Sequence, residues 1–136
     1  MRVVADDSLT SWLEERIDHY TTQSDTRIMA VLGDNDKVLA VAAYYNWSQH
    51  YRSIDVSFAA DTPKWGTRHI MRSLITYPFE QLDCVRVTAL VMATNHRARR
   101  LCEAVGFVEE GVARQGFYPD DAVIYGLLKS EASCWL

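Results

Sequence analysis

Apolar residues recur along this chain with two different periods, and the switches between them mark out its elements. In "SIDVSFAA", Ile54, Val56 and Phe58 alternate with Asp55 and Ser57, which predicts a strand with one polar face. "RIMAVLG" and "KVLAVAAYYNW" are apolar runs joined by "DND", a hairpin turn by composition. The second run is apolar on both faces and belongs inside the sheet. "VRVTALVM" reads as a buried strand, and "FVEEGVAR" and "DAVIYGLLK" as two more around the polar turn "QGFYPD". Helical spacing appears three times. Leu9, Trp12, Leu13 and Ile17 form one stripe, opened by Ser8 as N-cap. Ile70, Met71, Leu74 and Ile75 form a second, in a helix from about Gly66 to Phe79 that Pro78 bends or ends early. Ala98, Leu101, Cys102 and Val105 form the third, between the capping residues Thr94 and Asn95 and the terminating pair Gly106–Phe107.

The order of these elements predicts the architecture. Strand–loop–helix–strand–helix across residues 52 to 106 requires a crossover and one parallel strand pair, whereas the hairpins at both ends are antiparallel. The expectation is an α+β sandwich: one mixed, mostly antiparallel sheet with helices on both faces. Without an internal repeat, low-complexity tract or linker, residues 1–136 read as one domain.

Composition narrows the class. The chain has 136 residues, 49% hydrophobic and 24% charged, enough for a real core. No apolar run approaches the roughly 20 residues that span a bilayer, and "MRVVADDSLTSW" turns acidic where a signal peptide needs apolar sequence. Cys84, Cys102 and Cys134 form no CxxC pair and lack the histidine spacing of a zinc site. They read as reduced thiols, so the expectation is a cytoplasmic protein with no metal.

Charge becomes informative when it is divided. The net charge is −4, yet Asp61–Arg100 holds seven basic and three acidic residues, a local +4 that leaves −8 for the rest. A basic segment in an acidic chain fits a local anionic ligand better than a nucleic-acid surface. The loop "DTPKWGTR" brings Lys64, Trp65, Gly66, Thr67 and Arg68 to the start of one helix. Arg97 and Arg100, three apart, share a face at the start of the next. Two helix N-termini at the carboxyl ends of neighbouring parallel strands make a phosphate site.

At these residues the chain resembles the GNAT superfamily of acyl-CoA-dependent N-acetyltransferases. The resemblance covers about residues 52 to 129 and rests on Asn95, Ala98, Leu101, Gly106 and Phe107, followed by "EEGVAR" and "DAVIYGLL". It implies acetyl-CoA as donor, held by the loop and by Asn95, Arg97 and Arg100, with an oxyanion contact from the backbone N–H of Phe58 or Ala59. The pyrophosphate loop departs from the family's pattern: only Gly66 clearly fits, and Asp61 and Lys64 stand where Arg or Gln and the first Gly would be. Family members commonly place a tyrosine acid seven residues after the asparagine, where this chain has Cys102. Tyr125 is a second acid candidate and Asp55 a candidate base.

Each candidate also has a plain structural reading: core for Cys102, packed hydroxyl for Tyr125, solvated strand edge for Asp55, and exposed helix faces for the arginines. The expected activity is acetyl transfer to a primary amine, on a small molecule or a protein, by direct attack. The alternative is a weak or inactive acyl-CoA-binding sensor or partner module, and a nucleic-acid domain is disfavoured by the net charge. Residues 8 to 30, which build the amine site in this fold, carry no signature of the acceptor. The apolar tail Cys134–Leu136 docks either on its own domain or on a second copy as a homodimer.

Overall fold

The computed structural model describes residues 1–17 and 24–136. Its sheet has seven strands: β1 (Arg2–Ala5), β2 (Arg27–Leu32), β3 (Val38–Ser48), β4 (Ser53–Ala60), β5 (Arg86–Met92), β6 (Val108–Phe117) and β7 (Asp120–Leu128). They lie in the order β1-β2-β3-β4-β5-β7-β6, and β4–β5 is the parallel pair while the other neighbours are antiparallel. The helices are α1 (Thr10–Glu14), α2 (Arg68–Thr76) and α3 (His96–Val105).

The continuous apolar run does lie inside the sheet, with Ala40–Tyr44 of β3 buried on both faces. One core cluster joins Ile70, Met71, Leu74 and Ile75 of α2 and Cys102 and Val105 of α3 to Tyr44, Val56, Val87, Val123 and Tyr125. A smaller cluster on the opposite face sets Leu13 of α1 against Ile28, Ala30, Val41 and Ala43. Burying each large side chain in these layers contributes about 1.5–3 kcal/mol. The helices therefore cover both faces, as the stripes predict.

The differences lie at element ends. The first helix opens with a short 3-10 turn, Asp7–Leu9, capped by Asp6, whose carboxylate accepts from the Ser8 N–H at 3.1 Å. Asp6, not Ser8, is the cap. Part of the amine-site region, residues 18–23, lies outside the described residues. Strand β1 carries no strong pattern of its own and forms by pairing with β2 in a register from Arg2↔Leu32 to Ala5↔Met29. The α2 helix stops at Thr76, and Tyr77–Gln81 continue as a wide π turn with Pro78 and Phe79 buried. Pro78 ends the α-helix because proline has no N–H for the ladder. The last hairpin is tighter than "QGFYPD" suggests, since β6 runs to Phe117 and leaves Tyr118–Pro119 as the connection.

One irregularity positions the site. Strands β4 and β5 pair from Ser53↔Arg86 to Val56↔Ala89, after which they part. Beyond that point Ala59 and Ala60 still pair with β3, and Leu90–Met92 still pair with β7. The sheet opens into a V, and among the described residues Ser57–Ala60 pair in the sheet with β3 on one side only.

Candidate functional site

A cleft of about 400 Å³ fills the mouth of this V. Its walls come from β4 (Phe58, Ala59, Ala60), the following loop (Pro63, Trp65), the start of α3 (Asn95, Arg97, Ala98, Leu101) and the segment after α1 (Arg16, Ile17). Backbone N–H and C=O groups are obligatory hydrogen-bonding groups. An unpaired strand edge in a cleft is therefore a template for a ligand that carries amide groups of its own.

The α3 wall is capped by its own sequence and braced by β7. Asn95 Oδ1 accepts from the Ala98 N–H at 3.2 Å, which caps the first turn. Thr94 donates to Asp120 Oδ2 through its N–H at 3.0 Å and its hydroxyl at 2.7 Å. These bonds, the hydroxyl's first, hold the Asp120 carboxyl below its usual range. Gly106 ends the helix at φ +116°, the left-handed conformation that glycine favours.

The arginines divide between cleft-facing and structural. Arg97 lines the cleft, and neither it nor Arg100 has a carboxylate partner among the described residues. Arg99 is structural: it donates to the Tyr125 hydroxyl at 3.0 Å, the Ala93 carbonyl at 3.0 Å and Glu109 at 3.0 Å. Arg68 also turns away, donating to the Cys134 carbonyl at 2.8 Å with its guanidinium 5.6 Å from the Trp135 ring centre. Trp135 donates in turn to the Val105 carbonyl at 2.7 Å. The apolar tail thus docks on its own domain.

The loop wall needs help from elsewhere. Asp61 would repel phosphate, but Arg16 clamps it with two bonds of 2.7 and 2.9 Å. The Arg16 guanidinium lies 3.6 Å from the Trp12 ring centre and donates to the Trp12 carbonyl at 3.0 Å. The bond from Arg16 holds the Asp61 carboxyl below its usual range. Lys64 and Gly66 are exposed, and Thr67 caps α2 by accepting from the Ile70 N–H at 3.4 Å. Gly66 has φ −85°, so its conformation does not require glycine, and an added Cβ would meet only Met71 Sδ at 3.9 Å.

Of the expected binding residues, the cleft thus gathers Phe58, Ala59, Trp65, Asn95 and Arg97 in its walls. Lys64, Gly66, Thr67, Arg68 and Arg100 stand outside them. Arg16, Ile17, Ala60, Pro63, Ala98 and Leu101 line it without having been expected there. For Arg16 no local signal exists, because its partner is 45 residues away.

The three candidate catalytic side chains do not meet in the cleft. Asp55 sits one residue before the strands part, opposite Tyr45 and Thr88, on the face away from α2 and α3. It is half-buried, and burial raises its carboxyl above the usual range despite a 3.0 Å bond from Asn46 Nδ2. Beyond it on the same face, Ser57 shares a 2.8 Å bond with the Tyr45 hydroxyl. Cys102 is buried in the α3 stripe, and burial, with Glu103 nearby, pushes its thiol up to about 12. Tyr125 is fully buried, and its hydroxyl accepts from Arg99 and donates to Glu103 Oε1 at 3.4 Å. Burial raises this phenol too.

The comparisons with known proteins assign this fold, with its parted parallel strand pair, to a family. Residues 2–108 match the family described as "Acetyltransferase (GNAT) domain". The chain belongs to this GNAT acetyltransferase family. It is 45% identical over 64 residues to the Bacillus subtilis protein named "Putative ribosomal N-acetyltransferase YdaF", covering 44% of this chain and 35% of that one. It is 24% identical over 103 residues to "Uncharacterized N-acetyltransferase YoaA" of the same organism, covering 71% and 58%. The chain therefore matches less than two thirds of either relative's length. A crystal structure described as a probable acetyltransferase superposes with a TM-score of 0.69 at 30% identity, over 79% of this chain and 63% of that one. A chimera of Vibrio cholerae spermidine N-acetyltransferase SpeG and hSSAT reaches 0.77 over 98% and 99% at 16% identity, a likeness of fold alone.

Proposed function

We propose that the cleft binds acetyl-CoA and that the protein transfers its acetyl group to a primary amine by direct attack. The observation that carries this reading is the one-sided backbone of Ser57–Ala60, open toward a cleft into which the α3 start and Arg97 also face. The edge suits the amide-bearing arm of the donor, and the helix start and Arg97 suit its phosphates. The donor supplies an activated thioester; the chain supplies position and proton handling. A backbone N–H of Phe58 or Ala59 stabilises charge developing on the carbonyl oxygen. Asp55 takes the amine proton, and its raised pKa makes it a stronger base than an exposed aspartate. The amine approaches from the face that carries Asp55 and Ser57.

Protonation of the leaving sulfur falls to water. A thiol at about 12 is poorly matched to a leaving thiolate of ordinary pKa about 8.5, and the Tyr125 hydroxyl is held by Arg99 and Glu103. The same two facts favour a second reading, a module that binds acyl-CoA without turnover. An amine panel separates the two. The −8 balance outside the basic segment would steer a cationic acceptor. No described helix is long and apolar enough to cross a membrane, and we place the reaction in the cytoplasm.

The test has two parts. Acetyl-CoA at a hundredfold excess over its Kd should stabilise the fold by about 2.7 kcal/mol, a Tm rise of roughly 5–10 °C, whereas acetate should do nothing. No shift at millimolar acetyl-CoA refutes the binding claim. Asp55→Asn should cut turnover by about 10²–10⁴ and remove the acidic limb of the rate–pH profile. The sign for stability is opposite. A raised carboxyl pKa gives stability that is full below the unfolded value and lost as pH rises through the folded value, so Asp55→Asn should raise Tm at neutral pH.

A further inference from the structure

Behind the cleft lies a second hollow of about 50 Å³, between the sheet and the facing sides of α2 and α3. Its walls are apolar side chains, among them Ala42 of β3, Val56 of β4, Ile75 of α2 and Val105 of α3. The Tyr44 hydroxyl beside it is already committed, donating to the Leu74 carbonyl at 2.7 Å. Such a lining offers water few hydrogen-bond partners, and its atoms forgo contacts on one side, so apolar atoms suit it better than water does. Phe58, Trp65 and Leu101 line both this hollow and the cleft, so those side chains form a shared partition.

The partition matters because of where Phe58 stands. It lies two residues past the last β4–β5 pair, in the segment whose backbone would hold the donor's carbonyl. A chain attached to that carbonyl has the apolar hollow beside it. The hydrogen-bonding arm of the donor could not enter, since nothing there would satisfy its amides. At about 10–15 Å³ for each water-sized atom, the volume takes roughly three to five carbons.

We propose that this hollow receives the hydrocarbon tail of the acyl group, so that the protein prefers short-chain acyl-CoA donors longer than acetyl, up to butyryl. The inference rests on the acyl-CoA reading of the cleft and deepens it. The transfer itself is unchanged: the amine nitrogen forms the C–N bond, the thioester C–S bond breaks, the amine proton passes to Asp55 and then solvent, and the thiolate leaves protonated by water.

Binding of acetyl-, propionyl-, butyryl- and octanoyl-CoA to the intact protein, by calorimetry, tests the proposal, with acyl transfer to an amine as a second readout. Each buried methylene should tighten binding about fourfold, so butyryl-CoA should bind about fifteenfold more tightly than acetyl-CoA. Octanoyl-CoA should reverse the trend. Ala42→Leu, which fills the hollow from the sheet side, should abolish the butyryl gain and leave acetyl-CoA affinity unchanged. Ala42→Val should reduce the gain with less strain on the core, and it serves if the leucine variant does not fold. Acetyl-CoA binding without any gain for butyryl-CoA overturns the inference and leaves the cleft assignment standing. A butyryl preference that survives filling of the hollow also overturns it. Failure of every acyl-CoA to bind removes the cleft assignment itself.

Discussion

The two helix starts beside the V are built in opposite ways. At α3, Asn95 caps its own first turn and Arg97 faces the cleft, all within a few residues of one another. At α2, Thr67 caps the turn, but the loop before it depends on distant groups: Asp61 is clamped by Arg16, and Arg68 is drawn off to the Cys134 carbonyl. Cationic residues crowd both starts in the sequence, yet they do different work in the two places. The α3 side has a local cap, braced by bonds from Thr94 to Asp120, whereas the α2 side is electrostatically suitable for an anion only after tertiary contacts neutralise Asp61. A basic count over a segment overstates the charge available to a ligand whenever part of it is already paired.

The sharpest break in this comparison is Gly66→Val. An added Cβ meets only Met71 Sδ at 3.9 Å and the position is exposed, so stability should hold within about ±0.5 kcal/mol, as for an ordinary surface change. If a phosphate lies against that backbone, acetyl-CoA affinity should fall by about a hundredfold. Wild-type affinity by calorimetry would remove the loop from the binding site.

Next in size is the contrast between two arginines. Arg97→Ala should weaken acetyl-CoA binding about tenfold, the loss of one exposed charge-assisted contact, and should flatten its salt dependence. Arg68→Ala should lower Tm through the freed tail and change affinity less than about twofold. Equal affinity losses at the two positions would erase the distinction between cleft-facing and structural cations.

A double-mutant cycle measures the clamp. Arg16→Ala leaves Asp61 uncompensated at the cleft and should weaken binding about fivefold, as about 1 kcal/mol does. Adding Asp61→Ala should restore most of the loss. If the second change deepens it, Arg16 does not act by neutralising Asp61. The smallest effect belongs to the cap: Asn95→Ala should cost about 1 kcal/mol of stability in a denaturant melt, and Asn95→Asp should keep it.

Legibility in the sequence follows the range of the forces involved. The block from Thr94 to Phe107 was readable because cap, stripe and left-handed glycine all act within one helix. The inner position of β3 was readable from an unbroken apolar run. Strand β1 was not, because four residues with little pattern become a strand only when β2 supplies the ladder. The first helix was misread at its cap by two residues for a related reason: Asp6 and Ser8 are both good caps, and the fold chooses between them.

By itself the sequence determined the order of elements from the first helix onward, the crossover that makes β4 and β5 parallel, both helix stripes on α2 and α3, and the motif from Asn95 to Phe107 that carries the family resemblance. These depend on side-chain period and on caps, which neighbours in sequence control. Only the tertiary structure decided where β4 and β5 part, which arginines reach the cleft, that Arg16 covers Asp61, and that Cys102 lines an apolar hollow beside the cleft. Each of these depends on groups tens of residues apart coming within hydrogen-bonding or van der Waals reach, and no periodicity along the chain records such a meeting.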